Sequence, residues 1–413
     1  MAASSIPWRE ASSATASTRR PRATAQARVN GVNAVINFSS REHRTIGFDA
    51  HYRYNDHVNR TPLFDGTQFV VTDGNPTNIG AVSEHFNIQE NYADLSTTLN
   101  VIHYTALRFG YTYDAFDRTG RSFSNMTDNT AYTSADIIGN RWVTMRALYA
   151  FTARKGSGFS EDALEEGGFQ PGLRFYDEAD RDRNRGTLLF TVNPTDVMDV
   201  TFSLVAGKDR YHGPGHDFGL LDNNNEAYNT GINFYPADTV SFGANYGREH
   251  FASNQKSRQA SPPPNPQFTD ATRDWMLKNT ENVNNVDLYL DLPKLARKTS
   301  ARLTWDFSNA DNGFLFDGPR VASLAAAGQF IPLPDVTNNW NRIAADVQHF
   351  FVPKIGVGVD YWFERFRTVD FNTVDLPGQP GAPRIDYLGE INTGYGSRPY
   401  AGHTAFVRLL YLF

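Results

Sequence analysis

The residues of this chain best equipped for chemistry fall in two short stretches. Residues 177–185 read DEADRDRNR, and Asp180, Asp182 and Asn184 within them resemble the DxDxN opening of a calcium loop. Arg181 and Arg183 stand between those carboxylates and would repel a cation. The glycine at the sixth position and the glutamate at the twelfth are also missing. The run therefore reads as an ion-pair network closing a loop, in which each exposed pair contributes little stability. His212 and His216 have the spacing of two ligands on one helical face, but Gly213, Pro214 and Gly215 between them forbid the helix. They read as a loop pair without a metal. His51 falls among polar positions of an alternating stretch, and His349 and His403 among apolar ones. No GxSxG, HExxH, Walker or dinucleotide motif occurs. The sequence thus assigns this chain no catalytic residue, no cofactor and no metal.

Composition narrows the setting. The 413 residues contain no cysteine, which excludes disulfides, thiolate metal sites and any CxxCH haem attachment by this chain itself. A net charge of −6 does not suggest a nucleic-acid partner. No run approaches the ~18–20 apolar residues of a spanning helix. Spanning strands need only about 9–11 residues of alternating character, which average hydropathy misses. Residues 1–28 carry Arg19, Arg20, Arg22 and Arg28 without an apolar segment, so they are no secretory signal and read as disordered and extraneous to the native fold.

The elements that must position everything else are strands. The last stretch, YAGHTAFVRLLYLF, places Ala405, Val407, Leu409, Tyr411 and Phe413 on one parity and Arg408 on the other. This period of two predicts a closing strand that ends on an aromatic. The same pattern recurs upstream in hairpins. Tight turns at 139–140, 194–196, 236–238 and 353–354 alternate with long polar loops over 56–91, 152–185, 251–282, 309–339 and 367–399. Fifteen strands result, seven hairpins plus the closing strand. The lopsided connections point to a transmembrane antiparallel up-and-down β-barrel over 29–413, with short periplasmic turns and long extracellular loops, in preference to a soluble sandwich. Its apolar parity would face lipid. Its polar parity would line the interior: Asp49, Arg53, Arg108, Asp114, Asn233, Asn245, Arg302, Asp306, Asp346, Asp360, Glu364 and Arg408. Trp142, Trp305, Tyr246, Tyr361 and Tyr411 suit a membrane-interface girdle, whereas Trp362 falls on the interior parity. Single-chain bacterial barrels close with an even strand count, so an odd count makes this chain the expected C-terminal part of a larger barrel.

Several stretches resemble the decahaem-associated outer-membrane porins of the MtrB/PioB type. They are LRFYDEADRDRNR at 173–185, NPTD at 193–196, GKDRYHGPGHDFGLLDNNN at 207–225 and FGANYGREHF at 242–251. FTDATRDW at 268–275, LPDV at 333–336 and VGVDYWFERFRTVDF at 357–371 continue the resemblance, which runs from about Asp94 to the end. It implies a sheath in the bacterial outer membrane that houses a multihaem c-type cytochrome in its lumen, for electron transfer between periplasm and cell surface. Haem would belong to the partner and not to this chain. Some members carry an N-terminal CxxC, which has no counterpart here. The alternative is a general or substrate-specific porin, or a transport barrel of the TonB-dependent type. An outer-membrane enzyme has no motif in its favour.

Overall fold

A computed structural model describes residues 27–41, 45–63, 65–67, 80–82, 85–138, 141–161, 169–258, 269–318, 334–369 and 399–412. The expected disordered segment at the N-terminus, up to residue 26, lies outside them, as do residues 259–268, 319–333 and 370–398 of the expected loops over 251–282, 309–339 and 367–399. The strands are β1 (Val29–Ser40), β2 (Ile46–Asn59), β3 (Asp65–Thr67), β4 (Gly80–Val82), β5 (Ile88–Ile102) and β6 (Thr105–Arg118). Next come β7 (Phe123–Ile137), β8 (Val143–Phe159), β9 (Leu173–Arg174), β10 (Asp180–Thr195), β11 (Met198–His212) and β12 (Phe218–Ala237). The rest are β13 (Val240–Arg258), β14 (Asp274–Ala296), β15 (Thr299–Asp317), β16 (Val336–Val352), β17 (Ile355–Val369) and β18 (Tyr400–Tyr411).

One 16-stranded sheet holds all of these except the β3–β4 hairpin, and only β9 lies off its path. The remaining fifteen follow one another in chain order, each antiparallel to the next, from β1 to β18. Among the described residues β1 pairs only with β2, and β18 only with β17. Successive connections alternate in length. Two-residue turns such as His103-Tyr104 and Pro353-Lys354 close one end, and longer connections occupy the other.

The sheet is amphipathic across its thickness. Residues directly opposite in an antiparallel pair share a face, so the register carries one parity through the whole ladder. On the apolar face Phe48, Phe109, Tyr149, Phe242, Leu303, Val359 and Leu409 are all exposed, Leu409 at 82 %. A soluble protein buries such a face. A face that stays apolar and open around the sheet is one that lipid covers.

The strands overrun the expected loops. On β13 the apolar face reads Val240, Phe242, Ala244 and Tyr246, then turns polar at Arg248, yet pairing with β14 continues to Arg258. β14 runs for 23 residues, whereas β1 and β18 have 12 each. The expected loops over 152–185, 251–282 and 309–339 are therefore partly strand: β8 reaches Phe159, and β10 begins at Asp180, inside the charge run. The ladder's hydrogen bonds hold these extensions together without an apolar face.

Candidate functional site: the polar face and its loop-end strap

Backbone register places all twelve predicted interior residues on the face opposite the apolar belt. Asp49 faces Ser96 across β2–β5, Ser96 faces Gly110, and Gly110 lies on β6 with Arg108 and Asp114. Asn233 and Asn245 meet through Gly243 and Gly231, and Asn245 stands opposite Asp287. Asp287 faces Asp306, Asp306 faces Arg342, and Arg342 faces Glu364. Arg302 faces Asp346, Asp346 faces Asp360, and Gly358 beside it faces Arg408.

Most of these side chains are engaged along the wall. Arg53 pairs with Glu90 at 2.5 Å, Asp49 accepts from the Ser39 hydroxyl at 2.7 Å, and Arg108 donates to Thr98 at 3.3 Å. Arg302 lies 3.5 Å from Asp291, and Glu364 accepts from the Tyr400 hydroxyl. Trp362 is on this face, as its parity predicts, with the Arg342 guanidinium 4.8 Å above its ring. His349 and His403 sit on the apolar face, bonded to Thr299 at 2.9 Å and to Tyr361 at 2.7 Å.

Three side chains cross an entire strand at a glycine. Tyr132 on β7 lies over Gly110 of β6 and donates to Asp94 of β5 at 3.0 Å. Tyr289 on β14 lies over Gly243 of β13 and donates to Asn233 of β12 at 2.8 Å. Arg408 on β18 passes over Gly358 of β17 to reach Asp346 of β16. A Cβ at Gly110 would sit 2.2 Å from Tyr132 Cζ, and one at Gly243 2.4 Å from Tyr289 Cε1. Glycine inside a strand ordinarily weakens it, and here it supplies the clearance for a close approach. Sequence reasoning found Asn233, Asp346 and Arg408 but missed the glycines. A glycine directly opposite an aromatic on the same parity was the available signal.

At the loop end the polar face is covered. Residues 171–179 form a strap that contacts the ends of β6, β7, β8 and β12 and runs on into β10. Leu173–Arg174 pair in parallel with Phe218–Gly219 of β12, and the amides of Asp217 and Phe218 donate to the Gly172 carbonyl at 2.9 and 2.8 Å. Arg174 lies 4.2 Å over the Phe159 ring and donates to the carbonyls of Pro171 and Leu173. Asp177 takes Arg118 at 3.0 Å and Arg121 at 3.3 Å. Glu178, 1 % exposed, accepts the Ser122 amide at 3.0 Å. Burial pushes the Glu178 carboxyl above the ordinary carboxylate range, against the pull of the Ser122 amide. Among the described residues, every buried apolar side chain belongs to this end: Phe123, Met126, Ala179, Tyr211 and Phe218.

Beneath the strap the charge run becomes an interstrand network on β10, which corrects its expected place in a loop. Asp128 receives Arg154 at 2.7 and 2.8 Å and Arg181 at 3.3 Å, and Arg183 grips Asp209 at 2.8 and 2.6 Å. Arg181 and Asp209 are buried. His212 ends β11 beside Asp182 at 3.3 Å, and burial lowers the basicity of His216 in the following turn. Among the described residues no three His, Asp or Glu side chains gather into a metal-binding group.

A strand ladder with a lipid-facing apolar belt, a polar opposite face and connections of alternating length defines an outer-membrane β-barrel. The chain belongs to the MtrB/PioB family of outer-membrane β-barrel porins, whose model matches residues 4–413. That match is wider than the stretch from Asp94 that the sequence motifs suggested, and it takes in most of the N-terminal segment. No curated protein matches the chain. Among solved structures it resembles the siderophore receptor PirA of Pseudomonas aeruginosa, at 8% identity and a TM-score of 0.37, over 84% of this chain and 70% of that one. It also resembles a loop-deletion mutant of OmpT, an outer membrane protein of Vibrio cholerae, at 10% identity and a TM-score of 0.28, over 82% and 94%. The FrpB iron transporter of Neisseria meningitidis matches at 9% identity and a TM-score of 0.37, over 93% and 65%. Likenesses at these scores decide nothing about substrate or partner.

Proposed function

We propose that this outer-membrane porin is the sheath of an electron conduit, its polar face surrounding a multihaem c-type cytochrome. The barrel performs no chemistry of its own. The observation that carries this reading is the composition of the central polar wall. On β12, β13 and β14 that wall presents Asn225, Asn229, Asn233, Asn245 and Asn285, amides that both donate and accept. A charge-selective pore lines its constriction with a ring of one charge. A protein surface offers donors, acceptors and both charges, and a wall rich in amides accommodates all of them. Family membership supports the same reading, since these porins are associated with decahaem cytochromes.

The test is affinity purification of the barrel from native outer membranes, followed by haem staining of a denaturing gel. A haem-positive band at fixed stoichiometry is expected. A barrel that purifies without haem and conducts ions across a planar bilayer would overturn the sheath and leave an open porin.

A further inference from the structure

The tight-turn end carries a charge asymmetry that the conduit does not use. The β14–β15 tip bears Lys294, Arg297 and Lys298, and the adjacent β16–β17 tip bears Lys354. All four are exposed. The β10–β11 and β12–β13 tips carry Asp196 and Asp238 instead. Arg41 belongs to the β1–β2 tip, whose sequence also holds Glu42, and Arg141 to the β7–β8 tip, where it lies 4.7 Å over the Trp142 ring. The register of the basic tip breaks between Leu292 and Ala296, which leaves Pro293, Lys294 and Leu295 out of the ladder. Lys298 turns with φ 66° and its ammonium donates to the Phe351 carbonyl at 2.9 Å, tying the tip to β16.

We propose that this paired tip binds the anionic headgroup of a phospholipid in the periplasmic leaflet. Two features select lipid over an acidic protein. Leu295 is 55 % exposed among the cations, and Phe351, Val352 and Ile355 beside them are exposed and continue the apolar belt. Cations that edge a lipid-covered face keep their heads at headgroup level while their stems lie along the acyl boundary. Neither tip carries a carboxylate side chain among residues 293–300 or 350–356, so the local charge is unopposed.

The experiment uses the full chain, with whatever partner it retains, in nanodiscs of mixed phosphatidylglycerol and phosphatidylcholine. Native mass spectrometry reads the ratio of the two lipids kept on the protein. Each cation near an anionic surface contributes a factor of about five, so Lys294→Gln/Arg297→Gln/Lys298→Gln should lower the phosphatidylglycerol enrichment on the order of a hundredfold. Arg108→Gln/Arg302→Gln/Arg342→Gln, the same charge change on the polar face away from lipid, should leave it unaltered. Equal enrichment in wild type and tip variant would overturn the proposal, as would no enrichment in the wild type. Tip-dependent binding of poly-glutamate without lipid enrichment would overturn it in favour of an acidic protein partner.

Discussion

Two ion pairs of identical make-up show how differently the two ends of the polar face work. Arg183 stands directly opposite Asp209 under the strap, and Arg302 directly opposite Asp291 near the tight turns. The first pair is doubly hydrogen-bonded at 2.8 and 2.6 Å, and its aspartate side chain is 5 % exposed. The second is a single contact at 3.5 Å, with side chains 57 % and 28 % exposed. Chemistry and strand register are the same, so the surroundings make the difference. The buried Tyr211 donates to Asp209 at 3.4 Å and keeps water from that carboxylate, whereas the second pair stands open to solvent on the polar face, where attraction is weak. The loop end is thus a rigid collar, and the mid-wall is a loosely charged surface free to meet a partner.

The sharpest way to break this contrast is to orphan a buried cation. Asp128→Ala leaves Arg154 and Arg181 facing each other under the strap, since Asp128 accepts from both. Removing one partner of a buried pair costs about 3–5 kcal/mol. The guanidinium midpoint of barrel refolded into vesicles should fall accordingly, and protease should cut within residues 171–179. A midpoint unchanged within error would mean that the network is solvated and the collar loose.

The strand-crossing tyrosines rank next. Gly110→Ala and Gly243→Ala force a methyl group into the Tyr132 and Tyr289 rings, and overpacking of this kind costs about 1–3 kcal/mol. Gly186→Ala is the control, because nothing lies within 4 Å of its Cβ position. Equal loss in all three variants would assign the effect to the strand backbone and not to the crossing side chain.

What sequence could and could not convey follows the same division. Parity put the twelve candidates on the face opposite the apolar belt because a side-chain period of two survives wherever one face must be apolar. It failed where that requirement ends. Beyond Tyr246 the outward positions of β13 become Arg248 and His250, and polar residues on both faces read as loop, although pairing runs on to Arg258. The strap left still less trace. Nothing local to Glu178 announces that it will be buried against the Ser122 amide 56 positions earlier, because that contact depends on how the loop folds back across the strand ends.

Glu178 gives the strap a pH dependence whose sign is fixed by burial. Its folded carboxyl binds protons more readily than in the unfolded chain, where it titrates in the ordinary carboxylate range. Between the ordinary and the raised value the folded state therefore holds more protons, so strap stability falls as pH rises through that window. Protection factors over residues 172–179, corrected for the intrinsic exchange rate, should be higher on the acid side, and Glu178→Gln should flatten the dependence. A window running the other way would mean that Arg118 and Arg121, which also face this carboxyl, outweigh its burial.

The smallest effect probes the open wall. Arg302→Gln removes one exposed contact with Asp291, and such pairs contribute less than about 1 kcal/mol. Stability should barely move. If the mid-wall is a docking surface, the change should appear instead in the partner: weaker retention of the haem-positive band as salt rises, at an unaltered unfolding midpoint. Arg183→Gln should do the reverse, lowering the midpoint by leaving Asp209 buried without its main cation while the partner stays bound. The two arginines differ in little but the water around them, so a matching response from both would remove the distinction between collar and wall.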